Sequence, residues 1–320
     1  MSDATLYRSV PNIRLTAEAA VASGEVRQLA PGLAGVVADP SASYAAGERV
    51  DYRTDGQWVM PKGATYSLLD GGRAYWDFAN ARVSFKRSSN SQDYYLGRIV
   101  GDAAQSAITC TVQTNVDPAY DFDLARDPLY TVPVGTQALG GFLPTQRFGG
   151  AHKLLLSSTN QAQKADALGK YGFATAANAI VEMGVEVVSV GSGGAPDLSI
   201  GLASATHPTD ADAIAQHLFL HVDGNATAIK FQSKDGTHTV AATDSTLTLT
   251  AGTRFEVWFD LRTPSAIAIY VDGVRVLAST TFDVSAAASA WKLLAHLEKT
   301  SAADAFEVDV DWLRARTAKQ

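Results

Sequence analysis

Phe255-Glu-Val-Trp-Phe-Asp-Leu-Arg-Thr-Pro-Ser-Ala-Ile-Ala-Ile-Tyr-Val-Asp-Gly-Val-Arg-Val276 holds two runs of alternating apolar and polar side chains and closes on an Asp-Gly pair. A period of two places Phe255, Val257, Phe259 and Leu261 on one face of an extended chain, and Ile267, Ile269 and Val271 repeat the pattern. Asp272-Gly273 is the two-residue signal of a tight hairpin, because glycine and aspartate tolerate the positive φ that such turns need. The stretch therefore predicts an antiparallel meander.

The same punctuation recurs along the chain at Asp55-Gly56, Asp70-Gly71, Asp223-Gly224 and Asp235-Gly236. Helical signals are weaker: the alanine-rich pieces lack a sustained 3.6-residue stripe with caps, and only Gln161–Gly169 and Asp210–Gln216 qualify as short helices. The expected fold class is all-β. It comprises a small β-barrel-like domain over residues 1–115 and an antiparallel β-sandwich of the jelly-roll kind over 151–320. Between them, residues 116–150 are interrupted by Asp117-Pro118, Asp127-Pro128, Val132-Pro133, Gly140-Gly141 and Leu143-Pro144, and read as an extended connector.

At 320 residues the chain is long enough for two cores, and 46% hydrophobic with 18% charged residues is a folding composition. The net charge of −7 is spread thinly, and no basic run exceeds Lys86-Arg87, which argues against nucleic acid as a partner. No apolar stretch approaches the roughly 20 residues of a membrane helix, so no membrane partner is expected. The opening Met1-Ser-Asp-Ala-Thr-Leu-Tyr-Arg8 has no apolar stretch of the secretory kind. One cysteine, Cys110, excludes an internal disulfide.

The first hundred residues carry a series of short strings: Leu15-Thr-Ala-Glu-Ala-Ala-Val-Ala-Ser-Gly24, Gly35-Val-Val-Ala-Asp39 and Tyr44-Ala-Ala-Gly-Glu-Arg-Val-Asp51. Gly56-Gln-Trp-Val-Met-Pro-Lys62, Gly72-Arg-Ala-Tyr-Trp-Asp77 and Leu96-Gly-Arg-Ile-Val100 follow in order. Together they resemble the small head-decoration proteins of tailed phages. That resemblance implies a domain that binds the outer face of an assembled capsid, often as a trimer, and cements neighbouring capsomers. The implied partners are the major capsid protein and further copies of the chain, and the implied location is the virion surface, with assembly in the host cytoplasm. The later half, through His221-Val-Asp-Gly-Asn225, the 255–276 stretch and Val308-Asp-Val-Asp-Trp-Leu-Arg314, resembles concanavalin-like and laminin-G-like jelly rolls. A host-surface carbohydrate is the alternative partner that this second resemblance implies.

Glu307, Asp309 and Asp311 alternate along a strand and share a face about 7 Å apart, a spacing near that of glycosidase carboxylates. Their opposite neighbours Phe306, Val308, Val310 and Trp312 make the ordinary pattern of a half-solvated strand, so the chain is read as a non-enzyme with no catalytic residue. His217, Phe219 and His221 share a face and form a candidate carbohydrate-binding patch. Two histidines four apart on a strand lie about 13 Å apart and cannot chelate one ion, so neither a metal nor a cofactor is expected. Asp117, Asp121, Asp123 and Asp127 read as a solvated acidic loop. Tyr7, Arg8, Val10, Pro11 and Ile13 form an amino-terminal arm suited to lie along a capsid or add to a neighbouring sheet edge.

Overall fold

A computed structural model of the chain describes residues 12–22, 24–37, 39, 43–88, 90–125, 128–130, 134–135, 139–143, 151–175, 178–193 and 195–317. The chain divides into two compact units, Met1–Ala119 and Tyr120–Gln320. Strands dominate both, and among the described residues the single helical element is a 3-10 turn, Ala211–Ala213.

The first unit holds β1 (Asn12–Thr16), β2 (Val26–Ala30), β3 (Leu33–Val37), β4 (Arg49–Arg53), β5 (Gln57–Pro61), β6 (Arg73–Asp77), β7 (Arg82–Ser84), β8 (Tyr94–Val100) and β9 (Thr109–Thr114). These form a four-stranded sheet ordered β1-β4-β3-β2 and a five-stranded sheet ordered β5-β9-β8-β6-β7. Val37, Val50 and Tyr52 pack with Ala17 and Val21 under the first sheet. Asn115 ties the two sheets together. Its side chain accepts from the Ala34 amide at 2.8 Å and donates to the Ala34 carbonyl at 2.8 Å and to the Thr54 carbonyl.

The second unit holds β10 (Phe122–Asp123), β11 (Pro128–Tyr130), β12 (Leu139–Leu143), β13 (Ala151–Leu156), β14 (Gln161–Phe173), β15 (Ala179–Ser189), β16 (Pro196–Ala203) and β17 (His217–Asp223). It continues with β18 (Ala228–Lys234), β19 (Thr239–Thr248), β20 (Arg254–Asp260), β21 (Ala268–Val271), β22 (Val274–Val276), β23 (Trp291–Ala302) and β24 (Phe306–Thr317). Two antiparallel sheets result. One is ordered β12-β13-β24-β15-β20-β21-β22 with β10 also on β24, and the other β11-β14-β23-β16-β17-β18-β19. The chain passes repeatedly from one sheet to the other, and their inner faces enclose one apolar core, an antiparallel sandwich of the jelly-roll class.

The 255–276 stretch folds as its alternation predicts. Phe255, Val257, Phe259, Leu261, Ile267, Ile269 and Val271 all lie in that core. Val271 pairs with Val274 across the turn, where Asp272 and Gly273 take φ of 48° and 76°, the two positive values of a type I′ hairpin.

Four details differ from the sequence expectation. Gln161–Gly169, expected as a helix, belongs to β14, because Ala165 and Ala167 face the sandwich core while Lys164 and Asp166 face away, a period of two. The 210–216 expectation reduces to a single 3-10 turn capped by Asp210, whose carboxylate accepts from the amides of Asp212 and Ala213. Within the 116–150 stretch, β10, β11 and β12 add strands to both sheets of the second unit. Asp123 there pairs with Arg314 at 3.0 Å, and Asp121 accepts from the Thr317 amide at 2.7 Å, so both are anchored to β24; Asp127 lies outside the described residues. Finally, Asp311 is a bulge residue. Gly184 pairs with Trp312 and Val185 with Val310, so Trp312 turns outward and Leu313 takes the core position. Trp312 then lies between Gly184, where a Cβ would come 2.8 Å from the indole, and the Arg254 guanidinium, 4.0 Å from the ring centroid.

His152 shares the inward face of β13 with Leu154 and Leu156 and is fully buried. Burial pushes its imidazole down to about 4, with Asp123 pulling weakly the other way. The unfolded chain therefore takes up a proton at this position between pH 6.5 and 4 that the folded chain refuses, and stability falls as the pH drops through that window. Urea unfolding of the wild type against His152→Leu at pH 6.5 and 4 should show the wild type losing about 3 kcal/mol more than the variant across the interval. Equal losses in both would show that His152 is not held neutral.

Candidate functional site

The inner face of the β11–β19 sheet is apolar, but its outer face carries a continuous polar band built one residue per strand. In register across β14, β23, β16, β17 and β18 stand Asp166, His296, Ser199, His221 and Lys230. Two residues along, Lys164, Glu298, Asp197 and Asp223 form a second row over the first four of these strands. The strands that send Ala165, Ala167, Leu198, Leu220, Ala295 and Leu297 inward must send these outward.

Residues 204–216 cover part of the band and leave the Asp197 and Asp223 end open to solvent. The Thr206 hydroxyl donates to Asp166, the Ala211 amide donates to Glu298 Oε1 at 2.8 Å, and Gln232 donates to Asp212. Beside it, Ala211 and Ile214 pack on Leu168, Ala203, Phe219 and Leu294 as a small second core. Asp166 and His296 are consequently sealed from solvent, at 1% and 0% exposure.

His296 lies between two carboxylates, with Nε2 2.9 Å from Glu298 Oε2 and Nδ1 3.5 Å from Asp166 Oδ2. Burial opposes its charge, yet Asp166 and Glu298 more than offset that and raise its proton affinity. Lys164 supports Asp166 from the same strand at 3.2 Å. At the other end of the band, Asp197 Oδ1 and Asp223 Oδ1 converge on His221 Nε2 at 3.3 and 2.8 Å. Lys230 pairs with the second oxygen of Asp223. Ser199 Oγ lies 3.3 Å from His221 Nδ1 and fixes the ring. Burial, reinforced by Asp223, Asp212 and Glu298 against the pull of His221, pushes the Asp197 carboxyl up to about 7. Asp223 moves the other way: burial opposes its charge, but bonds from Lys230 and His221 prevail.

The residues expected from sequence to face a sugar are distributed differently. His217 and Phe219 lie beneath the 204–216 cover, stacked on each other at 4.6 Å, with His217 Nδ1 3.0 Å from the Ile214 carbonyl. Burial depresses the His217 imidazole, so it is neutral there and Nδ1 donates. Phe219 is fully buried and offers no ring face to a ligand. His221 is buried but adjoins Asp197 and Asp223, whose side chains are 39% and 36% exposed. Of the amino-terminal arm, Tyr7, Arg8, Val10 and Pro11 lie outside the described residues, and Ile13 is half-buried in β1 opposite Tyr52.

The Glu307, Asp309 and Asp311 face lies on the other sheet. Lys153 pairs with Glu307, and Arg254 Nε lies 2.9 Å from Asp311 Oδ2 and also reaches Glu256 at 3.2 Å. Glu307 and Asp311 are thus engaged with cations, Lys153 on the adjacent β13 and Arg254 on β20, one strand farther across the sheet. The outer band of the opposite sheet gathers ionisable groups from five strands, and of its members the sequence spacing singles out only His221.

Residues 8–114 match a family model described as phage cement protein, a span that falls within the first unit. No curated protein matches the chain. Among solved structures the chain is similar to a glycoside hydrolase family 16 endo-glucanase from Bacteroides ovatus, at 11% identity and a TM-score of 0.41, covering 59% of this chain and 93% of that one. It is also similar to the carbohydrate recognition domain of Emp47p, at 16% identity and a TM-score of 0.39, covering 62% and 94%. A third similarity is to an alginate lyase of polysaccharide lyase family 7, at 11% identity and a TM-score of 0.41, covering 58% and 86%.

Replacing His296 by Gln leaves two buried carboxylates without their shared cation and should cost about 3 to 5 kcal/mol at pH 6. Because the folded imidazole has a raised proton affinity, its contribution is complete below the unfolded value of about 6.5 and is lost as the pH rises through the folded one. The gap between wild type and His296→Gln in urea unfolding should therefore narrow from pH 6 to pH 9. A gap that is constant or widens would show a neutral imidazole.

Proposed function

We propose that the chain is a phage head-decoration protein whose first unit attaches to the outer face of the capsid and carries the jelly roll on the particle. The match of residues 8–114 to the phage cement proteins carries this reading. Attachment acts by linkage: a protein that binds only the assembled shell stabilises it by mass action. Trivalent attachment would multiply modest contacts through effective concentration, which makes a homotrimer on the major capsid protein the favoured arrangement. The virion surface is then the place of action, after assembly in the host cytoplasm, and the jelly roll serves adhesion and not catalysis.

The amino-terminal arm, with Tyr7, Arg8, Val10, Pro11 and Ile13, is the proposed capsid contact, since an extended segment gains backbone hydrogen bonds along a sheet edge. Heads stripped of the protein should bind the full chain to saturation and withstand heating better when decorated. Deleting residues 1–11 should lower occupancy at least tenfold with the unfolding midpoint of the free chain unchanged. Heads that bind neither form would remove the decoration reading, whereas equal binding of both would remove only the arm.

A second reading, adhesion to host-surface carbohydrate, is favoured by one observation: Asp197, Asp223 and Lys230 bring hydrogen-bonding groups to solvent at the open end of the polar band. A glycan array probed with the full chain tests it, and signal that persists in Lys230→Ala would place binding elsewhere.

A further inference from the structure

The geometry points to a divalent transition-metal site, best suited to Zn²⁺, formed by Asp197 Oδ1, His221 Nε2 and Asp223 Oδ1 on the outer face of β16 and β17. Two carboxylate oxygens converge on one ring nitrogen, at 3.3 and 2.8 Å, and the three atoms all lie within 4.8 Å of one another. A single N–H serves only one of the two oxygens. The bond goes to Asp223, and Asp197 Oδ1, itself buried, has no hydrogen-bond donor among the described residues. A cation in place of that proton would satisfy both oxygens at once.

The dimensions come near those of such a site. Bonds of about 2.0 to 2.2 Å in tetrahedral array put neighbouring ligand atoms about 3.4 Å apart, close to the 3.3 Å between Asp197 Oδ1 and His221 Nε2, while Asp223 Oδ1, hydrogen-bonded to that nitrogen at 2.8 Å, moves back by about 0.6 Å when the ion replaces the proton. The nitrogen donor favours zinc-like ions over calcium or magnesium, which take oxygen shells. The supporting contacts are of the kind that orient ligands: Ser199 Oγ accepts from His221 Nδ1–H once Nε2 binds the ion, and Lys230 holds the far oxygen of Asp223, leaving Oδ1 to face the imidazole. Three protein ligands leave a fourth position to water or to a ligand oxygen.

The second group with metal-ligating residue types, Asp235, His238 and Asp283, is accounted for without an ion. Asp235 already accepts from the amides of Thr237, His238 and Ala286 and from the His238 ring. Its carboxylate closes a turn, and Asp283 lies 3.7 Å from His238.

The test is calorimetric titration of the untagged, chelator-washed full chain with Zn²⁺, with Ca²⁺ and Mg²⁺ as comparisons. One Zn²⁺ per chain is expected, with neither comparison ion competing at equal concentration. Asp197→Asn and Asp223→Asn should each weaken binding at least tenfold, and Asp283→Asn should leave it unchanged. X-ray absorption of the zinc-loaded wild type supplies a readout that does not depend on how the variants fold, and should show one imidazole with oxygen neighbours. Failure to bind near one equivalent, full affinity in Asp197→Asn, or a shell with no imidazole would each overturn the site.

Discussion

A sheet has two faces, and a sandwich covers only one of them. The second unit depends on how it treats the outer face of its β11–β19 sheet. Near Leu168, Phe219 and Leu294 that face is apolar, and residues 204–216 fold over it with Ala211 and Ile214. Farther along it is ionic, and the same segment satisfies it with the Thr206 hydroxyl and the Ala211 amide. One loop thus supplies apolar cover and hydrogen bonds side by side, which is how Asp166, His296 and Glu298 come to be buried.

Buried charges are a poor source of stability, because desolvation offsets most of the attraction. Their arrangement nevertheless discriminates among strand pairings. In the observed register Asp166 meets His296 and Lys164 meets Glu298. A two-residue slip of β23 would keep the apolar face inward but set Asp166 against Glu298 in one direction and against Leu294 in the other, a carboxylate facing either a like charge or a hydrocarbon. The apolar pattern alone cannot distinguish those registers, since Ala165, Ala167, Ala295 and Leu297 are all small or aliphatic.

The parts legible in sequence are those whose information is local. Phe255–Val276 carries alternation, turn chemistry and β-rich side chains in one window, and its pairing follows from them. The Gln161–Gly169 segment shows the opposite case, for alanine and lysine favour helix locally and only pairing with β23 on one side and β11 on the other makes the segment extended. Proline and glycine residues after Asp117 suggest an interrupted chain, yet Pro128 opens β11 and Gly140-Gly141 lie within β12, and nothing local shows that the short strands here pair with β24, β14 and β13. Likewise the bulge at Asp311 inverts the facing of Trp312 through a register shift against β15 that no feature of the β24 sequence reveals.

The contrast between the two carboxylate groups shows why a linear spacing misleads about chemistry. Glu307, Asp309 and Asp311 are conspicuous because one strand carries them all, yet sheet geometry brings cationic partners to two of them, Lys153 to Glu307 and Arg254 to Asp311. Asp197 and Asp223 are inconspicuous in sequence, 26 positions apart, but antiparallel pairing of β16 and β17 makes them direct neighbours. Lys230 neutralises one of them and His221 stands between both. What an acidic side chain can do in this fold is decided by the strand beside it, and cross-strand neighbours are fixed by the apolar faces that bring the sheets together.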